Sequence, residues 1–412
     1  MKIDRNNLVA YWLLTCWIIT ILFTITPYSS AKFATTWASL LIVAIFVHRD
    51  SKLTIKKQPI KTSWFIFVIY TMFATIISMV IETYNKFNGT RMIFNSFIQH
   101  VFPLVIIYIA TSYNIRNKFI SLFKNFMFFS CTLGIFEYVF KIHLYERLIT
   151  FEPAIENFIK YGNITESQPY RLTLFFYHPI FYSVILTVFL ICLIYKPYKN
   201  KIFQSIAIVI SIINLVLTQS RTGWFTFAFL FALYLFRERK LNLSKKNISS
   251  IIKIISILIL LVILIYNFNR DIFNVMKEII VERILQIETG AASGARITNL
   301  TLVKYAWTDW TVFLFGGGNN YAISLLQEHP TTGLWIRAID NQFFTYILNY
   351  GVVGLTIFAV FTFNVLKNYF KSDDTNEKLI SLAIIGIIFS SISYEYFGLN
   401  FITYLLFILV GM

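Results

Sequence analysis

The sequence predicts an all-α, polytopic integral membrane protein of about 12 transmembrane helices with a long, structured external loop. Three observations carry that prediction. The 412 residues are 57% hydrophobic and only 14% charged, too apolar for a water-soluble globule. Apolar runs of roughly 20 residues, enough to cross ~30 Å of hydrocarbon, recur along the whole chain. Between them lie loops that alternate between dense in Lys and Arg and nearly neutral. No stretch is long and polar enough for a separate soluble domain, so residues 1–412 are expected to form a single transmembrane domain.

The runs fall at 8–26, 31–47, 63–81, 93–112, 119–140, 176–195, 202–219, 223–236, 251–267, 343–365, 379–396 and 398–411, the last two being two spans or one broken segment. The first follows Met1-Lys2-Ile3-Asp4-Arg5 without a small-residue cleavage site, and is expected to be a span rather than a removed signal. The 43 Phe and 24 Tyr suit helices that face lipid and anchor at its interfaces. Cys16, Cys131 and Cys192 sit inside apolar runs without pairing or metal spacing, as small apolar residues do.

The net charge of +16 does not point to nucleic acid, because its carriers sit in short loops between apolar runs. One set of loops comprises the N-terminus, 48–62, 113–124, 196–201, 237–250 and 366–378, all short and basic. The opposite set contains the longer loops 141–175 and 268–342, whose acids and bases nearly cancel. The basic set is therefore assigned to the cytoplasm, which places both termini inside and the two long loops outside. Loop 268–342 is too long to lack helices of its own. Within it, Ile272, Val275, Ile279, Ile280, Ile284 and Ile287 recur near helical spacing over 270–288. That amphipathic helix lies either on the outer leaflet or against the protein's own spans.

Charge is most informative where it is costly. Arg221, in Thr218-Gln219-Ser220-Arg221-Thr222-Gly223-Trp224, stands between two apolar runs with no room for a polar loop. The 16 residues from Arg221 to Arg237 make ~24 Å of helix, which puts Arg221 just beneath the outer headgroups. It either snorkels to lipid phosphate or faces a functional cavity, with Gly223 allowing a bend and Ser220 offering a hydroxyl. Arg296 follows the small-residue stretch Gly290–Ala295, where backbone can approach a ligand and a helix start can favour an anion. The bland reading is a surface arginine after a linker. Arg171 and His178 precede Pro179 at the end of the other external loop, where a lone His often caps or packs. Gly316-Gly317-Gly318 is expected to be a flexible turn, not a phosphate loop, since no Gly-Lys-Ser/Thr follows. His329, Arg337, Asp340 and Asn341 then lead into the tenth span, where an Asp can also cap a helix. Asp373-Asp374 lies in a lysine-balanced cytoplasmic loop as solvated charge, and no metal-binding spacing is present.

By topology, Arg171, Arg221, Arg296, Arg337 and Asp340 all reach the same membrane face. Several guanidiniums there suit a phosphate or diphosphate, because the planar fork stays charged and donates in pairs.

The order of these features resembles the O-antigen polymerase and O-antigen ligase superfamily of bacterial cell-envelope glycosyltransferases. It comprises about five spans, an Arg-to-His-Pro segment and a membrane-edge Ser-Arg-Thr-Gly. A long loop with an early Arg, a Gly-rich turn and Asp340-Asn341 before Tyr346-Ile-Leu-Asn-Tyr-Gly-Val-Val-Gly354 complete it. The resemblance covers roughly residues 165–365. It implies a GT-C-like fold and a metal-independent glycosyltransferase without a cofactor. The implied site is at the outer face of the bacterial cytoplasmic (inner) membrane, and the donor an undecaprenyl-diphosphate-linked oligosaccharide. Arg221 and Arg296 match the arginines that hold the diphosphate in that family. Where the ligases carry His-Asn, this chain has Asp340-Asn341, a departure that favours polymerase over ligase. A carboxylate can still take a hydroxyl proton. His178, Glu328 and His329 remain rivals for that role.

The expectation is a polysaccharide polymerase in which Arg221 and Arg296 stabilise the leaving diphosphate and Asp340 meets the acceptor. Arg171, His178, Ser220, His329, Arg337 and Asn341 would bind substrate. A chain-length regulator protein is a further expected partner. The alternatives are a ligase on the same fold and a flippase or transporter for lipid-linked sugars. A transporter favours repeated halves with charge at the midplane, which this sequence lacks.

Overall fold

A computed structural model describes residues 5–23, 39–41, 43–45, 58–80, 89–140, 171–176, 178–238, 302, 304, 307, 309–328, 341–395 and 401–412. Among these are 13 α-helices and no strand. The first is α1 (Arg5–Phe23), followed by α2 (Pro59–Val80) and α3 (Gly89–Ser96). A π-turn at Phe97–Val101 joins α3 to α4 (Phe102–Ser112), and α5 (Arg116–Phe140) comes next. Then come α6 (Pro179–Tyr195), α7 (Lys201–Leu217) and α8 (Arg221–Glu238), and the short α9 (Trp310–Phe315) and α10 (Tyr321–Glu328). The last three are α11 (Gln342–Lys371), α12 (Thr375–Ser390) and α13 (Phe401–Gly411). The expected span 251–267 and the amphipathic segment 270–288 lie outside the described residues.

Four stretches, Pro59–Val80, Ile93–Ser112, Arg116–Phe140 and Gln342–Lys371, are long and apolar enough to cross a membrane, and shorter apolar helices accompany them. Their faces are distributed as a lipid-facing bundle requires. On α2, Phe65, Ile66, Ile69, Phe73, Ile76 and Val80 are exposed, while Ser63, Thr71, Thr75 and Ser78 are buried. On α7 the exposed side carries Ile202, Ile206 and Val209, and Ser211 and Asn214 point inward. A helix in water would show the reverse pattern; with lipid outside, polar side chains find partners only within the bundle. Asn214 illustrates this by donating to the carbonyls of Cys131 (3.0 Å) and Ile210 (2.8 Å) and accepting from the Tyr182 hydroxyl (2.9 Å). The central helices α6, α12 and α13 are buried nearly all round, which is why they are apolar on every face.

Several boundaries differ from the hydropathy reading for local reasons. The expected spans 379–396 and 398–411 are two separate helices, α12 ending at Ser390 before the turn Ser391–Glu395. The expected run 343–365 continues to Lys371, since the amphipathic segment beyond Val365 still buries Tyr369. The fourth span widens to a π-turn just before Pro103, which has no N–H to give and crowds the preceding turn.

Among the described residues, those of the basic loops gather at one end. At the basic end, Arg116 lies 3.7 Å from Asp374 and 3.8 Å from Glu377, and Lys378 lies 3.0 Å from Glu238. Asp374 also caps α12 through the Asn376 N–H, so it is tied into the fold rather than merely solvated. At the other end, the Leu172 N–H donates to Leu217, the Gln342 N–H to Ser391 and the Tyr70 hydroxyl to Tyr350.

That second end is shaped by a break in α11 at Gly351, whose φ of 66° and ψ of −173° interrupt the helical ladder. The freed carbonyls of Leu348 and Asn349 accept instead from the N–H groups of Gly317 (3.0 Å) and Gly318 (2.9 Å). The Asn349 side chain accepts from the Ala322 N–H at 2.9 Å. Gly316 is at φ 81°, and a Cβ there would collide with the Asn349 carbonyl. The Gly316–Gly318 segment is therefore docked on the broken helix, not a free turn. Only glycines permit the approach.

Candidate functional site at the non-basic end of the bundle

Two neighbouring regions make up the site among the described residues. The first is the turn between α7 and α8. Helix α7 ends at Leu217, three residues intervene, and α8 starts at Arg221. The turn closes because Gln219 adopts φ 51° and Ser220 caps α8, accepting from the Gly223 N–H at 3.3 Å. Ser220 is 1% exposed and also receives the Ser183 hydroxyl at 2.9 Å, so its oxygen serves the fold. Gly223 does not bend α8. It lets α8 approach α6, where any Cβ would run into Ser183. Arg221 is thus half-buried on the first turn of α8, with the positive end of the helix behind it.

Arg171 reaches the same turn. Its Nε donates to the Thr218 carbonyl at 3.2 Å and its Nη2 to Gln219 at 3.5 Å. The segment carrying it is held from below by Glu137, a buried carboxylate near the end of α5. Glu137 accepts the Thr173 N–H at 3.3 Å and the Leu174 N–H at 2.9 Å. His178 stands just outside α6 and caps it, Nδ1 accepting from the Ile180 N–H at 3.2 Å. An accepting Nδ1 has no proton, so the ring is neutral. Burial, and then the Arg171 guanidinium, push its pKa down from 6.5 to about 3.

The second region is a cavity of about 300 Å³ between the broken α11, the docked Gly316–Asn320 segment, the π-turn and the end of α12. The π-turn presents His100, which is 3% exposed and 3.4 Å from the Tyr350 hydroxyl. That hydroxyl donates to Asn319 Oδ1 at 3.4 Å. Gln342, Tyr346 and Glu395 complete the far wall. Phe181 and Tyr394 line the cavity on the side of His178. Their rings lie 5.1 Å apart, and the His178 ring sits 5.7 Å from Phe181 and 5.4 Å from Tyr394.

Of the residues expected at the site, Arg171, His178, Ser220 and Arg221 are brought together. Asn341 is the N-cap of α11, its side chain accepting from the N–H groups of Phe343 (2.9 Å) and Phe344 (3.2 Å). Glu328 ends α10. Arg296, His329, Arg337 and Asp340 lie outside the described residues. Sequence reasoning missed Glu137, His100 and Glu395. Each is an ionisable residue inside a predicted apolar run, and that was the available signal.

No curated protein matches the chain. Residues 206–359, which hold Arg221, the Gly316–Gly318 bracket and the break in α11, match the family model Wzy_C, O-antigen ligase, a similarity that spans less than half of the chain.

Proposed function

We propose that the protein is a polysaccharide polymerase making O-antigen, capsule or exopolysaccharide. It transfers an undecaprenyl-diphosphate-linked glycan onto a lipid-linked repeat unit at the outer face of the cytoplasmic membrane. Members of the matched family are ligase and polymerase transferases of lipid-linked glycans. The observation that carries the reading is Arg221, held half-buried at the start of α8 with Arg171 on the same turn, among apolar helices. A guanidinium is kept at such an edge where it has an anion to meet.

In the proposed reaction the acceptor hydroxyl attacks the anomeric carbon, forming the new glycosidic bond as the bond to the diphosphate oxygen breaks. The hydroxyl proton passes to a carboxylate, assigned to Asp340. Negative charge grows on the departing lipid diphosphate, where Arg221 and Arg296 stabilise it by preorganised electrostatics. Polymerase is preferred to ligase because Asp340-Asn341 stands where the ligases carry His-Asn.

The test is the glycan pattern of a strain lacking the protein. It is complemented with wild type, Arg221→Ala, Arg296→Ala or Asp340→Ala at matched membrane levels. The deletion should leave single repeat units, and Arg221→Ala should restore less than about a hundredth of the wild-type polymer. Full-length polymer stalled on undecaprenyl diphosphate means ligase. Lipid-linked units confined to the cytoplasmic leaflet mean transport.

A further inference from the structure

The basic end of the bundle holds a cavity of its own, of about 280 Å³. Five helices contribute to it: the starts of α2 and α5, the last turns of α11, the first half of α12 and the end of α13. Its lining mixes two kinds of surface. Ile380, Ile384, Leu409 and Val410 are buried apolar residues. Arg116, Lys367 and Lys371 bring three cations, with Asn364, Asn368 and Ser381 among them.

The fold already places one of these cations. Arg116 donates through Nε to the Met412 carbonyl, and its Nη1 lies 3.7 Å from Asp374 and 3.8 Å from Glu377. Both carboxylates have further duties. Asp374 caps α12 through the Asn376 N–H, and Glu377 accepts the Ser372 hydroxyl at 2.7 Å. Lys367 and Lys371 stand four residues apart on α11, and among the described residues neither pairs with a carboxylate. Like charges at that spacing weaken a helix unless an anion lies between them. The basic loops keep the same sign in sequence. Loop 48–62 sets Arg49, Lys52, Lys56, Lys57 and Lys61 against Asp50, and 239–250 has Arg239, Lys240, Lys245 and Lys246 without an acid.

Arginine and lysine on one cavity suit a phosphate. The apolar lining selects among phosphates, because inorganic phosphate or glycerol phosphate would leave Ile380, Ile384, Leu409 and Val410 bare. A phospholipid has both parts, and basic cavities between membrane helices take anionic headgroups. At about 280 Å³ the space fits a phosphate with its glycerol, not a whole lipid.

We infer that this cavity binds the headgroup phosphate of an anionic membrane lipid, held by Arg116, Lys367 and Lys371. The glycerol and the first carbons of its chains lie on the apolar lining. A zwitterionic lipid brings an ammonium that these cations repel, so headgroup charge decides what binds. A lipid seated there bridges α5 and α11 and stabilises the bundle. Nothing in this site depends on the reaction proposed above.

The experiment is native mass spectrometry of the full chain in detergent, titrated with phosphatidylglycerol, phosphatidylethanolamine, glycerol 1-phosphate or inorganic phosphate. Phosphatidylglycerol should bind at least about tenfold more tightly than phosphatidylethanolamine, and the two soluble phosphates should not bind. The double variant Lys367→Gln/Lys371→Gln should weaken phosphatidylglycerol about tenfold or more. Lys199→Gln/Lys201→Gln, which neutralises two exposed lysines of the basic loops outside the cavity, should change it less than about twofold. In nanodiscs, phosphatidylglycerol with a photoreactive group on its glycerol should label wild type within 364–371 or 377–384. That labelling needs no variant, so the test survives a double variant that does not fold. Equal binding of the two lipids overturns the inference, as does labelling confined to other segments. Equal weakening by both double variants means diffuse surface charge and overturns it too. A soluble phosphate that binds as tightly as phosphatidylglycerol makes the ligand a free phosphate and overturns the lipid.

Discussion

The turn at Thr218–Ser220 and the cavity behind Phe181 and Tyr394 share one end of the bundle, yet their chemistries are opposed. The turn presents two guanidiniums on a backbone closed by its own hydrogen bonds. Among the described residues, the cavity presents amides, aromatic rings and the Glu395 carboxylate. A transferase using a lipid diphosphate must hold an anion that gains charge and a sugar that does not. Two neighbouring regions of unlike chemistry, with Phe181 and Tyr394 lining the cavity beside His178, suit that division. The two are also supported differently. The turn hangs on local capping and on Glu137, whereas the cavity depends on a helix broken in its middle.

The largest expected effect therefore comes from mending that break. In Gly351→Ala a side chain must adopt φ 66° and push into the Leu314 carbonyl. The expected cost is about 2–4 kcal/mol, with polymer lost as the Gly316–Gly318 bracket undocks. Gly386→Ala is the control. Its Cβ meets the Leu230 side-chain end at 2.6 Å and Thr226 Cγ2 at an ordinary 3.8 Å, and alanine favours the helix, so a change under about 1 kcal/mol is expected. Thermal melts of the solubilised proteins compare them, and equal losses would remove the special status of the break.

How these regions could be read from the sequence differs in the same way. Runs of about 20 apolar residues and a consistent Lys/Arg alternation are strong signals, so most helices fall where hydropathy puts them. Arg221 was legible because a charge had no loop to occupy. The same rule applied to His100, Glu137 and Glu395 would have exposed the cavity and the support of Arg171, but long apolar runs absorbed them. The break at Gly351 was hidden for another reason. Apolar periodicity continues across Tyr350-Gly351-Val352, and what stabilises the break is the distant Gly316–Gly318 segment. A one-dimensional pattern contains no such pairing.

Arg171 sharpens the comparison from the other side. Arg171→Ala removes two donors from the turn carbonyls and one charge from the edge, and Arg171 is not among the described residues that line the cavity. Polymer formation should fall about tenfold to a hundredfold, since loss of placement near a reacting group costs that much. The melting temperature should stay near that of wild type in the same preparation. A melt lowered as far as that of Gly351→Ala would mean that Arg171 serves the fold rather than the edge.

The smallest effect belongs to His178, which stands beside Phe181 and Tyr394. Its pKa in the folded protein, about 3, lies below the unfolded 6.5, so the unfolded chain binds the extra proton first. Its contribution to stability is complete above pH 6.5 and is lost as the pH falls toward 3. His178→Asn keeps an oxygen to accept the Ile180 N–H and removes the titration. Between pH 7 and 4.5 the wild-type melting temperature should drop a few degrees further than that of the variant. Identical pH dependence would show that the ring is not held neutral. Between pH 6 and 8 the polymer-forming activities of wild type and His178→Asn should run parallel. A neutral imidazole adds no titrating charge to the arginine edge, and the contrast between the two regions then holds across the whole working range.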